Sequence, residues 1–292
     1  MPSEARLRAI IAAALPDAEL VLHKPLEGGV SADVTMLELA FADGTRRKCV
    51  LREQGERHGG NPAQLEFETL KALHALGLPV PRPRSFGEGG PGLPFVLIDY
   101  VEGTTHIPKA ETQTRIATMA DQLAAFHAAS TGTFPDLPLR TDPQPELLDF
   151  LAAEPGWTEL RQWVQRVGPQ PFRGATCVLH GDYWPLNVIW QGSTIAAVID
   201  WEDAALGDPV SDVACAMLEM RYAFGLEGAN HFLDAYTRHR HVDPVRLAWW
   251  QAYVAASGVK SMGGWGLDAE REAHMRAIAM QCVADAARTI LQ

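Results

Sequence analysis

The segment Val178–Asp212, VLHGDYWPLNVIWQGSTIAAVIDWEDAALGDPVSD, constrains the fold of this chain more than any other stretch. His180-Gly181-Asp182 follows the apolar pair Val178-Leu179, and Asn187 stands five residues after Asp182. Val188-Ile189-Trp190 reads as a strand and Gln191-Gly192-Ser193 as a turn; Ile195 to Ile199 is a second apolar run that ends on Asp200. Such a hairpin brings an amide and a carboxylate to one end, with a second carboxylate in the loop before it. These oxygens suit a divalent metal held against phosphate.

The surrounding chain is long enough to bury a sizeable core. It has 292 residues, 47% of them hydrophobic and 21% charged, which argues for one large domain or two lobes and against disorder. The formal charge of −11 disfavours nucleic acid, whose phosphates it would repel, and mildly favours a cationic partner. Cys49, Cys177, Cys215 and Cys282 are widely spaced with no CxxC pair, so reduced thiols in a cytoplasmic protein are expected, with Cys177 inert in an apolar setting. The first twenty residues alternate charge and apolar groups at helical spacing, unlike a signal peptide, and no stretch is long and apolar enough to predict a membrane span.

In chain order, a helix over 4–15 precedes strands at 21–26 and 34–39, around the turn Glu27-Gly28-Gly29-Val30-Ser31. Asp43-Gly44 turns the chain into a third strand, 48–52, to complete an antiparallel meander. A helix over 62–76 starts at a proline and stops at Gly77; an extended Pro79–Pro83 link and a strand over 95–100 follow. Beyond Gly103 the pattern becomes helical, with segments at 114–129, 146–151, 158–167, 212–224, 228–240, 243–257 and 268–291. The boundary between a β-rich first third and a helical remainder falls near 99–103.

The ordered set HGDYWPLN at 180–187 and VIDWEDAALGDPVSD at 198–212, with the glycine turn, the strand cation, the helix glutamate and the hinge, resembles the aminoglycoside phosphotransferase and choline-kinase-like family. The resemblance spans roughly residues 20 to 220. It implies an α+β, two-lobed protein-kinase-like fold: an N-terminal antiparallel sheet lobe with helices (1–98), a hinge (99–103) and a larger, mainly helical C-terminal lobe (104–292). The implied activity is transfer of the γ-phosphoryl of ATP, or GTP, to a hydroxyl of a small molecule with Mg²⁺. The alternatives are a nucleotide-binding pseudokinase, a protein kinase, and a kinase of a choline-, homoserine- or sugar-like alcohol rather than an antibiotic.

By the same resemblance Asp182 orients the acceptor hydroxyl and takes its proton, while Asn187 and Asp200 hold the metal. Gly28, Gly29 and Ser31 cover the nucleotide phosphates. Val50 lies under the base and Arg52, where the common pattern has Lys, reaches the phosphates. Glu66 pairs with Arg52 in preference to Glu68, which points to another helix face; Lys48 is about 13 Å from Arg52 along the strand and does not replace it. Asp99, Tyr100 and Val101 form the hinge that hydrogen-bonds the base. His180 braces the loop, and Asp212 caps a helix while binding the loop backbone. Glu202 either supports the site from behind or is a solvated loop residue; Asp203 and Asp208 have no assigned role, Asp208-Pro209 reading as a turn. His231, His239 and His241 lack metal-ligand spacing. The tryptophans read as packing, with Trp184 and Trp265 able to border an acceptor cleft, and Ser257–Gly266 as its rim. Only eleven residues separate Asp200 from Asp212, too few for a peptide-docking activation segment, so the acceptor is expected to be a small molecule.

Overall fold

The computed structural model describes residues 3–26, 32–55, 58–88, 93–144, 146–152 and 154–292. The turn carrying Gly28, Gly29 and Ser31 lies outside the described residues. Backbone contacts divide the chain into two compact units, 1–104 with 133–136 and 189–203, and 105–132 with 137–188 and 204–292.

The first unit is built on a five-stranded antiparallel sheet of order β1-β2-β3-β5-β4. Its strands are β1 Ala18–Pro25, β2 Ala32–Phe41, β3 Arg46–Gln54, β4 Pro83–Gly87 and β5 Phe95–Asp99. The meander expected from sequence is therefore the core of a larger sheet: part of the proline-rich link becomes β4, an edge strand, where proline's missing N–H costs no central ladder bond. Asp43 and Gly44 make the β2–β3 turn: Gly44 takes φ +81°, and the Asp43 carboxylate accepts the Thr45 N–H at 2.8 Å. Alternation splits β3 between two faces. Cys49 and Leu51 are buried in a core with Leu37, Leu39, Leu97 and Leu7, Ile10 and Ile11 of α1 (Glu4–Ala14), so Val50 and Arg52 face the other way.

Helix α2, Ala63–Ala75, buries Glu66, Leu70 and Leu73, an i, i+4, i+7 stripe that places Glu66 on the inner side of the helix. Gly77, at φ +73°, ends it in the left-handed conformation. The β8–β9 hairpin, Val188–Gln191 and Thr194–Val198, returns residues 189–203 to this unit, where Val198 N–H donates to Pro79 O at 2.8 Å.

The second unit is mainly helical. Its helices are α3 Thr112–His127, α4 Glu146–Leu151, α5 Thr158–Val167, α6 Pro209–Tyr236, α7 Pro244–Ser261 and α8 Ala269–Ile290. A small sheet orders β6 Leu139–Arg140, β10 Ala205–Gly207 and β7 Cys177–Leu179. The two segments expected at 212–224 and 228–240 are present as two helical stretches within α6, separated at Gly225, whose φ of +73° is non-helical and turns the path within a single residue. The core joins Leu147, Leu151, Trp157, Leu160, Val164 and Leu218 to inner faces of α7 and α8, including Trp249, Val259, Val283 and Ile290. Among the described residues, no helix is long and apolar enough to cross a membrane.

Candidate active site

In the first unit, Arg52 is the point on which the sheet, α2 and the end of the hairpin converge. Its Nη1 donates to Glu66 Oε1, and its Nη2 donates to Asp200 Oδ1 at 2.5 Å and to Glu202 Oε2 at 3.0 Å. Arg52 is only 8% exposed. Burial works to lower the guanidinium pKa, but the charges of Glu66, Asp200 and Glu202 outweigh it and the net direction is upward. Burial pushes the Glu66 carboxyl above its usual value, and Arg52 offsets only part of that shift. Glu68, by contrast, accepts an exposed hydrogen bond from Gln64 at 2.8 Å.

The turn after β9 explains how two carboxylates reach one guanidinium. Asp200 has φ +70°, the only positive φ at a non-glycine among the described residues. Trp201 is fully buried, its indole N–H donating to Val198 O at 3.1 Å, and Asp200 and Glu202 flank it. Glu202 is 8% exposed and belongs to the site rather than to a solvated loop. Its carbonyl accepts the Asn61 N–H at 2.6 Å, and a Cβ on Gly60 would come within 2.8 Å of that oxygen. The Asp99 carboxylate takes both Nε and Nη2 of Arg84 at 2.6 Å. Lys48 pairs with Glu102 at 2.7 Å, away from Arg52.

In the second unit, residues 180–187 are held from beneath. Asp212, 1% exposed, accepts the His180 N–H at 2.7 Å and the Gly181 N–H at 3.0 Å. His127 Nε2 donates to the same carboxylate at 3.2 Å, and the ring's Nδ1 lies 2.7 Å from the Tyr236 hydroxyl. Burial alone would raise the Asp212 pKa, but the hydrogen bond and charge of His127 hold it below the usual carboxylate value. His180 Nδ1 accepts the Asp182 N–H at 3.2 Å, a brace inside the loop. Asn187 Nδ2 donates to the Asp182 carbonyl at 2.9 Å and to its carboxylate at 3.2 Å, so that the amide's Oδ1 is its acceptor atom.

Three residues of this unit gain importance that sequence reading did not give them. Asp208 is fully buried, caps α6 through the Val210 N–H at 3.0 Å, and accepts Arg246 Nε at 2.5 Å and Trp250 Nε1 at 2.6 Å. His127 is the second. Glu219, seven residues after Asp212 on α6, is the third: it is half-buried and has no hydrogen-bond or ion-pair partner among the described residues. Burial, then the negative charge of Asp182, pushes its carboxyl up to about 8, with Arg271 opposing. Only the 3.6-residue period linking 212, 215 and 219 could have signalled it in the sequence.

The donor set fits Mg²⁺. Three carboxylates face one guanidinium at Arg52, an excess of negative charge, and Mg²⁺ characteristically takes one or two protein oxygens together with phosphates and water. Among the described residues no three His, Cys, Asp or Glu side chains form a metal-binding group.

A family model described as "Phosphotransferase enzyme family" matches residues 23–250. Acyl-CoA dehydrogenase family member 11 of Rattus norvegicus is 23% identical over 235 residues, 68% of this chain but 30% of that protein, so the chain spans less than a third of that relative's length. Homoserine kinase of Rhodopseudomonas palustris (strain HaA2) is 29% identical over 248 residues, covering 76% of this chain and 72% of the kinase. A thermostable mutant of aminoglycoside phosphotransferase APH(4)-Ia, solved in ternary complex with ADP and hygromycin B, aligns with a TM-score of 0.63 at 15% identity over 97% of this chain and 98% of its own. That likeness establishes the fold: an antiparallel-sheet part and a helical part of the kinase-like type.

Proposed function

The chain belongs to the phosphotransferase enzyme family, and from that premise we propose that it moves the γ-phosphoryl group of ATP, or GTP, to a hydroxyl of a small molecule. One observation carries the reading: Arg52 of β3 is joined at once to Glu66 of α2 and to Asp200 after β9. The cation–helix-glutamate pair beside a metal-binding aspartate is what phosphoryl transfer in kinase-like enzymes requires for placing the triphosphate. A guanidinium held by Glu66 keeps its charge and its direction, which speaks against a retired site.

In this reading Arg52 steadies the phosphates, Asp200 and the Asn187 amide oxygen are the metal donors, and Asp182 orients the acceptor hydroxyl and accepts its proton. Bound Mg²⁺ would supply neutralisation of charge on the transferring phosphate. Val50 would lie against the base, backbone groups of Asp99, Tyr100 and Val101 would hydrogen-bond its edge, and Gly28, Gly29 and Ser31 would cover the phosphates. The lobes would be 1–98 and 104–292, joined by the hinge 99–103.

The acceptor we propose is a small alcohol carrying an amine. Glu219, without a hydrogen-bond or ion-pair partner among the described residues and within electrostatic reach of Asp182, would lose its proton beside an acceptor's ammonium group and pair with it. Arg271 acts on Glu219, and Arg140 lies near enough to influence Cys215 on the same helix. These two cations disfavour a strongly polycationic acceptor. An amino alcohol of the homoserine kind therefore fits better than a polyamine sugar. Four free cysteines, Cys49 and Cys177 buried, suit a cytoplasmic setting. The test is phosphate transfer from ATP across a panel of hydroxy-amino acids, amino alcohols and aminoglycosides. Turnover confined to aminoglycosides would refute the acceptor assignment, and no turnover on any alcohol would refute the kinase reading.

A further inference from the structure

Three carboxylates meet Arg52, and only two of them have a task in the kinase reading. Glu66 fixes one end of the guanidinium, and Asp200 is the carboxylate that a metal must take. Glu202 is left over, yet it is buried, hydrogen-bonded to Arg52 Nη2 at 3.0 Å and anchored through its carbonyl to Asn61 N–H at 2.6 Å. His58 Nδ1 lies 3.4 Å from its carboxylate.

We propose that Glu202 is a positioning residue that holds the second end of the Arg52 guanidinium while Asp200 passes from Arg52 to the metal. This rests on the phosphotransferase reading. Nη2 is shared between Asp200 and Glu202 in the resting site. Moving Asp200 to a metal would otherwise leave a buried guanidinium with one end unsatisfied, which is costly. With Glu202 in place, Nη2 keeps an acceptor and Asp200 is released cheaply. The device depends on arginine. A guanidinium presents two separate nitrogens to Glu66 on one side and Glu202 on the other, whereas the single nitrogen of a lysine cannot span both in the same fixed geometry. Arg52 and Glu202 therefore act as a matched pair.

The test is direct binding of AMP-PNP by calorimetry, in EDTA and in Mg²⁺, to wild type, Glu202→Gln, Glu202→Asp, Arg52→Lys and the double variant. We expect Glu202→Gln to lose about tenfold of the affinity gained on adding Mg²⁺, roughly the effect of one charge-assisted hydrogen bond. Affinity in EDTA should not weaken, since a negative charge near the phosphates has been removed. Glu202→Asp should recover part of the loss, and in the Arg52→Lys background Glu202→Gln should change the Mg²⁺ gain less than about twofold, the signature of coupled residues. Equal weakening with and without Mg²⁺ would mark a structural role and overturn the inference, as would an unchanged Mg²⁺ gain or an undiminished effect in the Arg52→Lys background. Failure of wild type to bind AMP-PNP at all would overturn the kinase reading itself, and this inference with it.

Discussion

The Asp212 carboxylate accepts the backbone N–H of His180 at 2.7 Å, across 32 residues of sequence, and with Gly181 N–H fixes the start of the loop that carries Asp182. Behind it stand His127 and Tyr236, so a buried polar network holds the loop in addition to the bonds within it.

Asp212→Asn keeps the volume but replaces one acceptor oxygen by an NH2 group, so one of the two backbone donors loses its partner. We expect kcat to fall about a hundredfold, the scale of a sub-ångström to ångström misplacement of a reacting group, with much smaller change in AMP-PNP affinity. Steady-state kinetics beside calorimetric binding separates the two effects. An equal loss in both would mean that the network holds more than the loop.

Glu66 and Glu68 give an internal control two residues apart on α2. Glu66→Gln should reduce kcat/KM for the nucleotide at least about tenfold, because it removes a charged partner of the buried Arg52. Glu68→Gln should leave it within about twofold, since its hydrogen bond to Gln64 is exposed. The ratio of the two values is the readout, and a ratio near one contradicts the assignment.

Asp208 and Arg246 should matter for stability. Asp208 is fully buried and Arg246 also donates to Thr141 O at 2.7 Å and to Gln170 O, which ties α7 to the strand segment before α4. Removing one member of a buried charged pair strands the other; Arg246→Ala should cost about 3–5 kcal/mol in urea unfolding. A loss below about 1 kcal/mol would show that water replaces the contact.

The raised Glu219 carboxyl makes a prediction with a definite sign. Its folded value of about 8 exceeds the usual glutamate value, so the folded protein holds a proton that the unfolded chain has released. The associated stability is fully present at acidic pH and is lost as pH rises from about 4.5 through about 8. Glu219→Gln should therefore raise Tm at pH 8.5 relative to wild type and flatten the dependence between pH 5 and 8.5. Asp212 runs the other way: its lowered pKa contributes stability above the usual aspartate value that is lost as pH falls through the folded one. A Tm gap that does not change with pH between wild type and Glu219→Gln would refute this.

Two of the pairings that the resemblance implied are met in the geometry: the structure puts Glu66 on Arg52 and Asp212 on the loop backbone. The chemical tasks of Asp182, Asn187 and Asp200 rest on the ordered motifs His180 to Asn187 and Ile199-Asp200. Strand alternation likewise separated Arg52 from the α1-facing core. The partners that had to be found in the structure are distant in sequence: Glu202 is 150 residues from Arg52, His127 is 85 from Asp212, and Arg246 is 38 from Asp208. A histidine on an amphipathic helix and an aspartate before a proline have ordinary local explanations, and nothing within a few residues distinguishes a buried network member from a surface group. Gly28, Gly29 and Ser31 lie outside the described residues, so their assignment to the phosphates rests on sequence alone.

The proposed role of Asp182 is in phosphoryl transfer to an alcohol. Its most direct test compares wild type with Asp182→Asn for ATP-dependent phosphorylation of the acceptor panel by phosphorus NMR, with AMP-PNP affinity measured on both. The expected result is a new phosphate-ester signal with wild type, a rate at least about a hundredfold lower for the variant, and nucleotide affinity unchanged within about threefold. Ester formation by the variant at the wild-type rate would contradict it.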